Sequence, residues 1–271
     1  MGNDGTGSSG TIQLPIQPKD VFRILALRSV VENDEMLKAL NEHFNEIFKG
    51  IEQTERLKRK GKNPFDYQHP HKGLTINKEK LTDFTERELC ASKKAFFDNS
   101  FDGIGTVIDY ELPLDETRYS AFGKVDLVSL SEDTHILYLL EVKKHDSNEH
   151  PLRAMFEIFT FWKMLQDGGK DKAGDFSIFI EKYTSAEQNK SKFGERKPSR
   201  VVPGLLLCDG SPILNRLTSL KTKDKKGVSV EEKRLYKRFF KEGLRVFRFT
   251  ENREQIEIIE QVSTNLDSTP C

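Results

Sequence analysis

The spacing of apolar residues divides the chain into segments of different period. After Pro15 and Pro18 the pattern turns helical. Phe22, Leu25, Ala26, Val30 and Val31 form one apolar-rich segment. Met36, Leu37, Leu40, Phe44, Ile47, Phe48 and Ile51 then recur at three- and four-residue steps, which predicts an amphipathic helix. Its end is the basic run Arg56-Leu57-Lys58-Arg59-Lys60-Gly61-Lys62, where cations suit the negative end of the helix dipole. Residues 63–76 carry Pro64, Pro70 and Gly73 and read as a loop, and Asn77 is placed to cap a helix over 78–97.

After Gly103 and Gly105 the period shortens. Residues 106–112, 122–130 and 135–143 read as strands, and 152–166 as a helix ended by Gly168-Gly169. The apolar runs 176–181 and 201–208 read as buried strands, although Pro203 restricts the start of the second. A charged helix over 231–241 leads to a terminal strand pair, 245–250 and 255–262. This order predicts an α/β fold in which a mixed central sheet is flanked by helices, with an added N-terminal helical segment. The expected division is a flexible leader over 1–17, a helical accessory region over 18–62, the main domain over 78–262 and a flexible tail over 263–271.

Composition narrows the function classes. The chain has 271 residues, enough for a large domain with its own core. Its 43 basic and 43 acidic residues cancel, which excludes a histone-like polycation and a highly charged disordered chain. A neutral total can still hide a basic patch. Lys221, Lys223, Lys225, Lys226, Lys233, Arg234, Lys237 and Arg238 are the candidates, diluted by Asp224, Glu231 and Glu232. No apolar run approaches the ~18–20 residues of a membrane span, so no membrane partner is expected. Cys90, Cys208 and Cys271 form no CxxC pair, so neither a disulfide framework nor a cysteine zinc site is expected. A reducing, cytoplasmic setting fits. His69-Pro70-His71 lacks a third metal ligand, and there is no Gly-rich phosphate loop, GxSxG or HExxH.

The chemistry concentrates in two stretches, Gly123-Lys124-Val125-Asp126-Leu127-Val128 and His135-Ile136-Leu137-Tyr138-Leu139-Leu140-Glu141-Val142-Lys143. The second is apolar on both parities before Glu141, as in a strand covered on both faces. Charges at its end are costly unless paired or set at a cleft. Side chains two apart share a face, so Glu141 and Lys143 point the same way. A turn centred between Glu132 and Asp133 would pair Leu130 with His135 and Asp126 with Leu139, making Asp126 and Glu141 diagonal neighbours. Two converging carboxylates suit Mg²⁺ or Mn²⁺. Such an ion polarises a phosphoryl oxygen and acidifies a bound water, and a nearby lysine can orient that water or stabilise developing negative charge.

Asp126 followed by a hairpin and Glu141-Val142-Lys143 resembles the PD-(D/E)xK nuclease superfamily, the restriction-endonuclease-like enzymes. The likeness covers roughly residues 78–215 in element order: helix, three strands, helix, strand. It implies catalytic Asp126, Glu141 and Lys143, a Mg²⁺ or Mn²⁺ ion on Asp126 and Glu141, and hydrolysis of a phosphodiester. Many members add a Glu on the helix before the sheet. Leu81, Phe84, Glu88, Ala91 and Ala95 lie on one stripe, so Glu88 would face the sheet and join the metal ligands while Glu86 would not.

Two departures stand out. Val125 takes the place of the motif's proline. Where some members have Gln-x-x-x-Tyr on the following helix, this chain has Glu157-Ile158-Phe159-Thr160-Phe161. Glu157 is therefore an accessory candidate. So is Arg153, either as a helix partner of Glu157 or as a phosphate contact. The expectation is an intracellular, Mg²⁺-dependent nuclease acting on DNA, with the N-terminal helices serving substrate, protein-partner or homodimer contacts. The alternative is a catalytically inactive module on the same fold that binds nucleic acid or a protein partner.

Overall fold

The computed structural model describes residues 33–49, 51, 57, 61, 63–66, 93, 95–114, 123–131, 133–166, 175–193, 197–219, 228–251 and 256–261. The N-terminal apolar repeat folds as two short helices, α1 (Asp34–Glu42) and α2 (Phe44–Lys49), where one is expected. The break is at His43, which has left helical geometry at φ −103° and ψ 15°. Asn33 caps α1, its Oδ1 accepting from the backbone N–H of Glu35 at 2.9 Å and of Met36 at 3.2 Å. Leu37, Leu40, Phe44, Ile47 and Phe48 are nevertheless all buried, as their spacing requires.

The sheet contains β1 (Ser100–Phe101), β2 (Gly105–Pro113), β3 (Lys124–Ser131) and β4 (Ile136–Lys143). After α3 (Pro151–Met164), α4 (Ser177–Ser185) and α5 (Lys190–Phe193) comes β5 (Arg200–Cys208). Then α6 (Pro212–Ser219) and α7 (Val230–Lys241) precede β6 (Arg245–Glu251) and β7 (Ile256–Gln261). Spatial order follows chain order from β1 to β7. The first four strands form an antiparallel meander, β5 and β6 add in parallel, and β7 returns antiparallel. The result is an α/β fold with a mixed sheet flanked by helices. Among the described residues no helix is long and apolar enough to cross a membrane.

Alternation along β4 creates the two layers. Leu137 and Leu139 face the core that contains α3, whereas Ile136, Tyr138, Leu140 and Val142 face the second core with Phe96, Phe247 and Phe249. Helix α3 is buried nearly all round, as its Met155, Phe156, Phe159 and Trp162 suggest for core residues rather than base-stacking ones. Phe44 and Phe48 meet Phe156, Phe159 and Phe239 with ring centroids 4.8 to 6.3 Å apart. The N-terminal helices thus share one core with α3 and α7.

Residues 176–181, expected as a strand, are helical in α4. A short apolar run is ambiguous between the two states. Here the decisive spacing is Phe176, Phe179 and Tyr183, which step by three and four and are buried, while Ile178 is exposed. Asp175 Oδ1 accepts the first N–H of the helix, that of Ser177, at 2.9 Å. Helix α6 has no counterpart in the apolar pattern. Its signal is Ser211-Pro212: proline suits the first helical position, and Ser211 Oγ accepts the N–H of Leu214 at 3.3 Å.

The β3–β4 register also differs from the two-residue turn. Leu130 pairs with Leu137, Ser131 with Ile136 and Leu127 with Leu140. Four residues therefore form the connection, and His135 turns it with a φ of 51°. The shift is two residues. An even shift keeps every side chain on its face, where a shift of one would reverse them all. Extending the ladder by one pair sets Asp126 opposite Glu141 instead of diagonal to it. At the other end of the meander Gly105, with φ 75°, lies so close to the Leu130 carbonyl that an added Cβ would sit 2.1 Å from its oxygen. Only glycine closes β2 onto β3 there.

Candidate functional site

Asp126, Glu141 and Lys143 lie at the end of β3 and β4 on the α3-facing side. Glu141 and Lys143 are at the carboxyl end of the parallel pair β4–β5, opposite Leu205 and Leu207, the end at which open α/β sheets bind ligands. The three side chains line a cavity of about 440 Å³ with Lys93 and Glu157. Asp126 and Glu141 are both buried.

Each polar atom can be followed to its partner. Asp126 Oδ2 accepts the backbone N–H of Val142 at 2.8 Å, which ties the acid of β3 to the next strand. Asp126 Oδ1 accepts from the Lys93 ammonium. Glu141 Oε1 is 2.8 Å from Lys143 Nζ, and Glu141 Oε2 is buried with no hydrogen-bond partner among the described residues. Lys143 also meets Glu149 at 2.5 Å and Glu157 at 3.6 Å. Arg153 Nε lies 2.7 Å from Glu149 Oε1. The expected Arg153–Glu157 pair is thus replaced by Arg153–Glu149. Arg153 has a carboxylate four residues away on either side, and the one before it closes the contact.

Burial and like charge hold protons in this cluster. Burial, with Asp126 beside it, pushes the Glu141 carboxyl well above its ordinary range, and Lys143 only partly opposes this. Glu157 is also raised, by burial first and by Glu149 and Asp126, against the pull of Lys143. For Lys143, burial favours the neutral amine, but Glu141, Glu157, Glu149 and Asp126 outweigh it and hold the ammonium well above the lysine range. Lys93 follows the same balance, burial opposed chiefly by Asp126, and is raised.

Other sequence candidates fall elsewhere. Glu88, His69, His71, Cys90 and Cys271, and the lysines at 221, 223, 225 and 226, lie outside the described residues. On the helix expected over 78–97, Ala95 is exposed and Phe96 is buried, so the described end turns a different face inward from the stripe through Ala91 and Ala95. Cys208 is buried and forms no disulfide among the described residues. His150 caps α3, its Nδ1 accepting from Leu152 N–H at 3.2 Å. In the basic C-terminal stretch, Arg234 pairs with Glu231 at 2.5 Å and Arg238 sits over the Phe44 ring.

Two site residues escape the sequence pattern, Lys93 and Glu149. Lys93 precedes the Phe96-Phe97 pair by three and four residues, and that spacing carried the signal for its face. Glu149 was readable only as the second acid within one turn of Arg153.

A larger cavity, about 660 Å³, lies at the opposite end of β5. Arg200 and Arg245 face Glu181 and Glu242 in a wall of mixed sign that gathers no group for catalysis.

Among the described residues no group of three or more His, Cys, Asp and Glu is gathered for a metal ion. Two carboxylates are. Mg²⁺ is held by one or two carboxylates while it keeps several waters. A buried acceptor left unmet costs about 1–3 kcal/mol, and Glu141 Oε2 is such an acceptor beside a second carboxylate. The donor set therefore fits a hard divalent cation. No family model, no curated protein and no solved structure matches the chain.

Proposed function

We propose that this chain is a metal-dependent nuclease of the PD-(D/E)xK type that hydrolyses phosphodiester bonds in DNA. One observation carries the reading. Two buried carboxylates from neighbouring strands line one cavity beside a lysine, and among the described residues Glu141 Oε2 has no hydrogen-bond partner. Strands β2, β3 and β4 followed by α3, with β5 coming after the intervening α4 and α5, support the reading in part.

In this reading Asp126 and Glu141 would hold Mg²⁺ or Mn²⁺. When bound, such an ion supplies Lewis-acid polarisation of a phosphoryl oxygen and a more acidic water. The rest is done by side chains. Without metal, Glu141, Glu157, Glu149 and Asp126 favour the Lys143 ammonium. That charge would suit a developing phosphoryl anion or the orientation of the attacking water. Glu149 and Glu157 hold the Lys143 ammonium beside Glu141, and Arg153 holds Glu149. The test is incubation of supercoiled and single-stranded DNA with the purified chain and Mg²⁺ or Mn²⁺. Cleavage that requires metal and disappears in Asp126→Asn and Glu141→Gln is expected. No cleavage of either substrate, with no Mn²⁺ bound, overturns the reading.

A second reading has one observation in its favour. Asp126 Oδ1 already carries the Lys93 ammonium, as an inactive nuclease-fold module that never loads metal would have it. Mn²⁺ titration separates the two, since only the enzyme binds the ion.

A further inference from the structure

We infer that Lys93 is a resident counter-cation of the site, and that a divalent metal ion enters by displacing its ammonium from Asp126. This rests on the metal reading above and adds a residue to it.

Of the four carboxylate oxygens of Asp126 and Glu141, three already have partners. An ion shared by two carboxylates needs an oxygen from each. Asp126 Oδ2 is held by the Val142 N–H in the strand ladder. Glu141 Oε1 is held by Lys143, and Glu141 Oε2 is open. The remaining oxygen, Asp126 Oδ1, is the one that Lys93 holds. An ion held by both carboxylates would meet the open oxygen of Glu141 and would compete with the Lys93 ammonium for Asp126.

The two lysines are not equally easy to move. Lys143 contacts three carboxylates, Glu141, Glu149 and Glu157. Among the described residues Asp126 is the one ion-pair partner found for Lys93. The Lys93 side chain lines the cavity and keeps 13% of its surface exposed, and its four-carbon stem has the freedom to carry the charge outward. Once a doubly charged ion sits between Asp126 and Glu141, repulsion drives the ammonium the same way. Loading would replace one positive charge by two beside Asp126 and Glu141, and would give the unmet oxygen of Glu141 a partner.

The exchange weakens metal binding by the stability of the Lys93–Asp126 pair. Lys93→Met keeps the length of the side chain and removes the competitor. Calorimetric titration of the full chain with Mn²⁺ should show binding about tenfold tighter in Lys93→Met than in the parent protein, by the usual penalty on a ligand whose receptor is mostly in the competing state. In the parent protein, reductive methylation of Lys93, read by mass spectrometry, should run severalfold faster with saturating Mg²⁺ than without. Equal or weaker Mn²⁺ affinity in Lys93→Met, with Asp126→Asn still abolishing binding, overturns the exchange and leaves the metal site standing. Absence of Mn²⁺ binding in both the parent and Lys93→Met overturns the two together. If Lys93→Met does not fold, methylation decides: a Lys93 rate indifferent to Mg²⁺ overturns the exchange.

Discussion

The molecule buries two acidic clusters and treats them in opposite ways. Glu232, on the first turn of α7, is 1% exposed. Arg216 reaches it from α6 with a two-pronged grip, Nε at 2.9 Å and Nη2 at 2.8 Å. The Tyr236 hydroxyl donates to it at 2.5 Å, and His150 Nε2 stands 3.3 Å away. Burial alone would raise its proton affinity, but His150, Arg216 and Tyr236 more than reverse this, and the carboxyl falls to about 2. Glu141 is also buried, yet its proton affinity moves up, because burial and then the Asp126 charge raise it and Lys143 only partly opposes them. Burial is common to both clusters. The supply of donors separates them. Both Glu232 oxygens have donors, and these contacts tie α6 and α7 to the start of α3. The Glu141 cluster is unfinished in a way that a cation would complete.

The contrast can be broken by substitution. The largest effect is expected at Glu141. Glu141→Gln should lower metal-dependent DNA cleavage by about 10³-fold, the scale of removing a key electrostatic group. Its melting temperature without metal should stay close to that of the parent, since Lys143 keeps Glu149 and Glu157 as partners while burial and Asp126 already disfavour a charged Glu141. Nicking rates and thermal unfolding check the two halves. At Glu232 the outcome for stability should reverse. Glu232→Gln breaks a satisfied buried network and should cost about 3 kcal/mol, read from urea unfolding.

Acid sharpens the same comparison. The Glu232 carboxyl titrates near 2 in the fold and near the ordinary Glu value of about 4.3 in the unfolded chain. Its contribution is therefore fully present above the unfolded value and is lost as pH falls through that value toward 2. The urea midpoint should drop across this window in the parent protein, and the drop should be shallower in Glu232→Gln. The smallest effect is expected at Arg153. It is partly exposed and reaches the site only through Glu149. Arg153→Ala should change stability by less than about 1 kcal/mol and slow cleavage far less than Glu141→Gln, as measured by the same nicking assay.

The strands that build the candidate site were legible because their pattern is redundant. The stretch before Glu141 is apolar on both parities, and both faces of β4 are covered. The face shared by Glu141 and Lys143 follows from strand geometry alone. The register was harder, because two- and four-residue connections leave the same polar gap; Asp126 stayed on the expected face only because they differ by an even number. Helix α4 was misread because a six-residue apolar run has too little length to display its period. Lys93 and Glu149 were hidden for another reason. Their roles depend on which of several nearby charges closes a contact, and one-dimensional spacing offers Arg153 two partners without ranking them. Glu88 remains a sequence expectation outside the described residues.

The sheet has a kinetic consequence. Every strand lies beside its predecessor in the chain, so none has to be threaded between two formed neighbours. Within the antiparallel meander β1–β4 the connections are short and close at low entropic cost, whereas the long crossovers into the parallel strands β5 and β6 are the slower steps. The β3–β4 hairpin needs nothing from α3, β5 or the C-terminal half to zip up. It brings two like charges together before the helix that carries Glu157 has docked. Nucleation in this region therefore works against electrostatic repulsion, and neutralising either acid should speed refolding even as it abolishes cleavage.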